Sequence, residues 1–362
     1  MRFALVPAAF LAAVAAVPAP ADPPKVAPPR VDVVFAVDTT GSMGGLLESM
    51  KARMFSVWAQ ILAGKPTPVV RVGLVAYKDR GDEYVTKVTD LSEYPDAVQD
   101  ALSGLSAAGG GDFPESVNQA LDDAVNKISW SDDRQTLRMI FLVGDAPPHM
   151  DYKDDVKYPV TCKLAVKKNI RVNAIQCGSH PATAQAFAAI AQLGNGSFFA
   201  VPQDGGAAVR TPEDKRLAAI YREVAAGYVP HGPKADQDKL TEKWADLGKL
   251  GDPAAADRAL LEARMGRMIG PPDLVDLVRR GAGTVGAVPE DQLPPELKKL
   301  PPADREKAVA AAAAARAKLY QEALKLGEKQ TAALKNPKNK NGFDGLVLQV
   351  LRGQGGRVGI KY

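Results

Sequence analysis

The sequence predicts an α/β fold, a doubly wound and mostly parallel sheet followed by a smaller, mainly α-helical C-terminal region. Apolar runs that end on a charge or a glycine alternate with segments of helical spacing, in units too long for hairpins. Beyond Pro233 the composition shifts towards Lys, Ala, Pro and Glu. The 362 residues are 46% hydrophobic and 24% charged, enough for at least one full core. The formal charge is only +4, and Lys and Arg are spread among nearly as many acids, so the basic stripe of a nucleic-acid binder is missing.

Residues 1–21 carry Arg2, an uncharged apolar centre over 3–17 and small residues around Ala19-Pro20-Ala21, the form of a secretory signal peptide. An uncleaved anchor is the alternative. The expectation is an exported chain, periplasmic or extracellular, with no membrane span after signal cleavage. Residues 22–30 read as a Pro-rich lead-in.

The first strand is 33–37, a buried apolar run ending on Asp38. Asp38, Thr40 and Ser42 follow at alternate positions before helical spacing sets in through Leu46, Leu47, Met50, Met54 and Trp58. One carboxylate and two hydroxyls on a strand-to-helix loop can supply half the oxygen shell of a hard cation; a helix entry with Thr40 or Ser42 as N-cap is the alternative. Strands follow at 69–77 and 84–89, then helices at 93–102 and 114–128. The strand 137–143 ends at Gly144-Asp145, a helix covers 162–168, and 170–177 is the next strand. A helix over 182–193 stops at Gly194, Asn195-Gly196 turns the chain into a strand at 197–201, and Thr211-Pro212-Glu213-Asp214 opens another helix.

Ligands of open parallel sheets collect at the carboxyl ends of the strands. Asp38 and Asp145 both follow apolar strands there, and Asp112 sits before a helix in Gly109-Gly110-Gly111-Asp112-Phe113-Pro114-Glu115. Convergence of the three loops would gather Asp38, Thr40, Ser42, Asp112 and Asp145 into one cation shell. For Asp112 a capping box with Glu115 is the alternative. Cys162 and Cys177 are expected near one edge of the sheet, where either a disulfide or two buried thiols would fit. His149 is expected to be a surface or packing residue outside the site.

The loop Asp38-Thr39-Thr40-Gly41-Ser42-Met43, the glycine-rich loop ending in Asp112-Phe113-Pro114-Glu115 and the strand ending Leu142-Val143-Gly144-Asp145 resemble the three loops of a von Willebrand factor type A domain with a metal-ion-dependent adhesion site. The resemblance covers 31–229 and extends to a bacterial and secreted branch of the family. It implies a doubly wound parallel sheet and a divalent cation, Mg2+ first with Mn2+ or Ca2+ as alternatives, that bridges to an acidic side chain of a protein partner. The implied role is adhesion or scaffolding without catalysis. A metal-dependent hydrolase, with His149 as base, and a purely structural metal are the alternatives. Three carboxylates would more than neutralise one divalent ion, tightening the metal and weakening its pull on a partner's acid.

Residues 230–251 are expected as a linker and 252–362 as the helical region. Its helices are read at 252–268, 271–280 and 303–334, the last rich in alanine, with an amphipathic segment at 343–351.

Overall fold

Strand β1 (Arg30–Asp38) is buried from its second residue to its last, because strands pair with it on both sides and helices cover both faces. The computed structural model describes residues 27–206, 210–334 and 342–362. The expected signal peptide therefore lies outside the described residues. Helix α1 (Gly44–Ile61) leads to β2 (Val69–Tyr77), β3 (Thr86–Ser92), α2 (Pro95–Ser103) and α3 (Val117–Asn126). Then come β4 (Leu137–Gly144), α4 (Tyr158–Lys167), β5 (Ile170–Cys177), α5 (Pro181–Leu193) and β6 (Asn195–Val201).

The six strands take the order β3-β2-β1-β4-β5-β6, and only the β2–β3 pairing is antiparallel. Strand order reverses between β1 and β4, so the residues after Asp38 and Gly144 meet at the switch point where such sheets open a crevice. Alternation along β1 divides the core. Val31, Val33, Phe35 and Val37 face one side with α1 and α2, whereas Val34 and Ala36 face α3, α4 and α5.

Three expected boundaries shift for identifiable reasons. Tyr84 precedes β3, and its hydroxyl lies 2.8 Å from Thr39 Oγ1, anchoring a loop. The helix expected from Pro114 starts only at Val117, since the amides of Glu115 and Ser116 donate to Pro147 O and Lys78 O, outside the helix. The expected linker 230–251 contains helix α7 (Lys234–Leu247), whose buried Trp244 stacks on Tyr228 at 4.9 Å.

Of the two alternatives for the cysteines, the structure has the buried thiols and not the possible disulfide. Cys177 belongs to the core on the α1 side of the sheet, Cys162 to the core on the α3–α5 side, and both are free, buried thiols. A sheet stands between them. Burial raises both thiol pKa values, that of Cys162 to about 12. In Ellman's assay the protein purified without reductant should yield two thiols per chain after denaturation and close to none before it.

The remaining helices are α6 (Glu213–Ala226), α8 (Asp252–Met265), α9 (Leu274–Arg279), α10 (Pro295–Lys298), α11 (Pro302–Leu334) and α12 (Phe343–Gln354). Of these, α6, α8, α12 and the later part of α11 extend the α1-side core, whereas α9, α10 and the start of α11 pack into a separate, smaller cluster. Ala255, Ala256, Ala259 and Leu261 of α8 share the core with α1 and α6. Phe343 of α12 reaches the sheet itself, with its ring 6.0 Å from Phe35, and Gln354 Nε2 donates to Asn173 Oδ1 of β5 at 2.8 Å. The helical region thus completes one covering layer of the sheet.

A buried ion pair fastens this layer. Arg316 of α11 donates to both oxygens of Asp273 at 2.6 and 2.8 Å and to Gly227 O at the end of α6. Asp273 also caps α9 by accepting from Asp276 N at 2.7 Å and accepts from Val229 N at 2.9 Å. Removing one partner leaves the other charge buried and unpaired, so Arg316→Ala should cost about 3–5 kcal/mol in urea denaturation.

Candidate metal centre

The first loop is shaped by its own side chains. Asp38 Oδ1 accepts from Thr40 N at 2.8 Å and from Thr40 Oγ1 at 2.7 Å, and Thr40 Oγ1 lies 3.4 Å from Ser42 Oγ. The chain then enters a short 3-10 turn over Gly41–Met43 and continues into α1 with no side-chain cap at either start. Thr40 stands at the N-cap position of that turn without a capping hydrogen bond, and Ser42 lies inside the turn. Asp38 Oδ2 is buried and has no hydrogen-bond partner among the described residues.

Asp145, just past β4, comes to the same place. Its carboxylate presses on Asp38 electrostatically, its Oδ2 accepts from Gln203 Nε2 at 2.6 Å, and its main-chain oxygen accepts from Thr183 Oγ1. Gln203 also donates to Ser42 O at 3.2 Å, joining the first loop to the third. Close approach of β1, β2 and β4 demands glycine at 144, where a Cβ would sit 2.4 Å from the Tyr77 hydroxyl and 3.2 Å from Asp38 Cβ.

The second loop brings Glu115 to the first. Glu115 is buried beside Thr40 and has one carboxylate oxygen without a partner among the described residues. Gly110, at φ +84°, admits it: a Cβ there would lie 3.0 Å from Glu115 Oε1 and 3.1 Å from Thr40 Cβ. The Glu115 amide donates to Pro147 O at 2.9 Å, so the capping box with Asp112 is absent. Asp112 is exposed, and its Oδ2 stands 3.7 Å from His149 Nε2. His149 is itself buried, stacked on Tyr152 at 4.0 Å, and not a surface residue.

Beneath the loops lies Lys78, only 1% exposed. Its ammonium donates to Thr39 O at 2.7 Å, to Ser106 O at 3.3 Å and to Ala108 O, tying the first loop to the glycine-rich one. Lys78, Gln203 and Glu115 were not expected in the site. A Lys after a strand reads as a solvated turn residue, Gln203 comes from a distant loop, and Glu115 was read as a capping partner.

Charge is unbalanced here. Burial, with Asp145 adding to it, raises the Asp38 pKa to about 7 in spite of the Thr40 bonds. Burial and the carboxylates of Asp38, Asp79 and Asp82 raise that of Glu115 to about 9. An all-oxygen set of carboxylates and hydroxyls, with two buried oxygens unpartnered, fits a hard divalent cation. Asp38, Thr40, Ser42 and Asp145 would hold it, with Glu115 beside Thr40.

Residues 32–201 match the family model of the von Willebrand factor A domain. The structure has the doubly wound sheet that the resemblance implies. An ariadne-like RING finger protein of Acanthamoeba polyphaga mimivirus is 29% identical over 120 residues, which are 33% of this chain and 11% of that protein. The SpRpn10 VWA domain superposes with a TM-score of 0.37 at 16% identity, covering 48% of this chain and 89% of that one. Proximal thread matrix protein 1 from the mussel byssus gives 0.37 at 14% identity, covering 49% of this chain and 43% of that one. A form of the byssus protein with a zinc-occupied MIDAS motif gives 0.37 at 15% identity, again covering 49% of this chain and 43% of that one.

Both raised carboxyls bind protons more tightly in the folded protein than in the unfolded chain. Their contribution to stability is full below about pH 4 and is lost as pH rises, through about 7 for Asp38 and about 9 for Glu115. Buried Asp257, Glu262 and Asp344 act in the same direction. In chelator, urea denaturation across this range should therefore show falling stability, and Asp38→Asn should lose less than wild type between about pH 4 and 7.

Proposed function

We propose that the chain is a non-catalytic protein-binding module whose type A domain holds a divalent cation, Mg2+ in the first instance, and presents it to an acidic side chain of a protein partner. The supporting observation is Asp38: a fully buried carboxylate at the switch point, one oxygen held by Thr40 and the other without a partner among the described residues. A cation there supplies the positive charge that would keep Asp38 ionised and a coordination position for an outside carboxylate. The domain match supports a role in protein interaction, of which adhesion and scaffolding are the forms proposed here.

Export is part of the proposal and rests on the signal-like residues 1–21. Among the described residues no helix is long and apolar enough to cross a membrane.

The test combines stability with capture. Mg2+ at one hundred times its Kd should stabilise wild type by about 2.7 kcal/mol and leave Asp38→Ala unchanged. Partner capture from an envelope extract should require Mg2+ and be lost in EDTA and in Asp38→Ala. Capture that persists in excess EDTA would overturn the reading. A melting temperature that falls in EDTA while capture is unaffected would assign the ion a structural role instead.

A further inference from the structure

We infer a second cation site on the same rim, formed by Asp79, Asp112 and His149 and suited to a borderline transition ion such as zinc. The three residues come from the segment after β2, the glycine-rich loop and the loop after β4, and each offers one ligand atom within 4.8 Å of the others.

His149 carries the argument. It is 3% exposed, and its Nε2 is buried without a hydrogen-bond partner among the described residues. On the other side of the ring, Nδ1 stands 2.8 Å from Asp151 Oδ1. A carboxylate only accepts, so Nδ1 is assigned as the donor and the Nε2 lone pair is turned towards Asp79 and Asp112. A carboxylate behind a histidine is the arrangement that orients imidazole ligands of metals. Stacking of the ring on Tyr152 at an interplanar angle of 9° fixes its plane.

Asp79 is held as firmly. It is 3% exposed, with Oδ1 accepting from Ser116 Oγ at 2.9 Å and Oδ2 from Tyr152 Oη at 2.8 Å. One residue, Tyr152, thus orients both the histidine and this carboxylate.

The spacing favours an ion over a direct contact. His149 Nε2 lies 3.4 Å from Asp79 Oδ2 and 3.7 Å from Asp112 Oδ2. Charge-assisted hydrogen bonds would be near 2.8 Å. Two ligands bound tetrahedrally at about 2.0–2.1 Å are about 3.4 Å apart. Asp112 is on the exposed side, so solvent can reach the remaining coordination position.

Donor chemistry separates this site from the one at Asp38. Imidazole with two carboxylates suits zinc and its neighbours, whereas an oxygen-only set suits magnesium or calcium. On this inference Asp112 serves His149 and Asp79, outside the Asp38 shell.

The test uses the full chain, stripped of metal and titrated with Co(II), whose visible d–d absorption reports a tetrahedral nitrogen–oxygen site and which Zn(II) should displace. Wild type should develop this absorption, Asp38→Ala should keep it, and His149→Gln should lose it. Because His149 is buried, Asp112→Asn provides a variant at an exposed position: Co(II) affinity should fall at least about tenfold while the metal-free melting temperature stays at the wild-type value. Absence of the absorption in wild type, or unchanged affinity in Asp112→Asn, would overturn the inference. Absorption lost in Asp38→Ala but kept in Asp112→Asn would place the ion at the first site and overturn it as well. Mg2+ gives no such signal, so failure here leaves the Asp38 reading to its own test.

Discussion

A carboxylate delivered by a strand that is buried on both faces cannot stay ionised without compensation, and this constraint organises the rim of the sheet. Asp38 is such a group. It stands where β1 ends between β2 and β4, at 0% exposure. Desolvating a charge costs several kcal/mol, and hydrogen bonds from Thr40 recover only part of that. The nearest buried cation, Lys78, is committed to carbonyl oxygens of the two loops it joins. Asp145 deepens the deficit. The loops are built around missing positive charge, and this unites their geometry with their chemistry.

Such a deficit is sustained only by a rigid frame, and the helical C-terminal region provides it. Helix α1 begins at the site and is gripped at its far end. Arg264 of α8 donates to Ala59 O, and the Tyr362 hydroxyl donates to Ile61 O at 3.0 Å. Helix α8 packs against α1 and α6, α11 packs against α8, α6 and α9, and Arg316 locks α11 to Asp273 before α9 and to Gly227 O at the end of α6. At the near end of α1, the turn over Gly41–Met43 is tied to Asp145 by Gln203, which donates to both Ser42 O and Asp145 Oδ2.

The central strands were legible in the sequence because burial on both faces leaves a continuous apolar run: β2 and β5 have the bounds read from the residues, 69–77 and 170–177. Helix α7 was not legible, since Gln237 and Trp244 are its only buried residues and a nearly all-polar surface gives no periodicity. The cysteines show what needs three dimensions. That Ile175 and Cys177 share a face follows from alternation, but that α4 covers the opposite face follows only from topology. Strand ends located Asp38 and Asp145. Glu115 and His149 could not be placed, because their burial depends on a backbone bridge between two loops far apart in sequence. Lys78 and Asp79 look like solvated turn residues, and both are almost fully buried.

Glu115 is the point at which the two halves of the rim meet. Its main chain bonds the loop after β4 twice, as donor to Pro147 O and as acceptor from His149 N at 3.1 Å, so it sets the height of the His149 ring. Its side chain turns the other way, to Thr40, where the charges of Asp38 and Asp79 both raise its proton affinity. Burial is the larger cause of that affinity, and positive charge arriving near either aspartate offsets only the smaller, electrostatic part of it. One buried residue thus adjoins both clusters, through its side chain at Thr40 and its main chain at Pro147 and His149. An Asp-Phe-Pro-Glu sequence that reads as the start of a helix is, in the folded protein, the crosspiece of the rim.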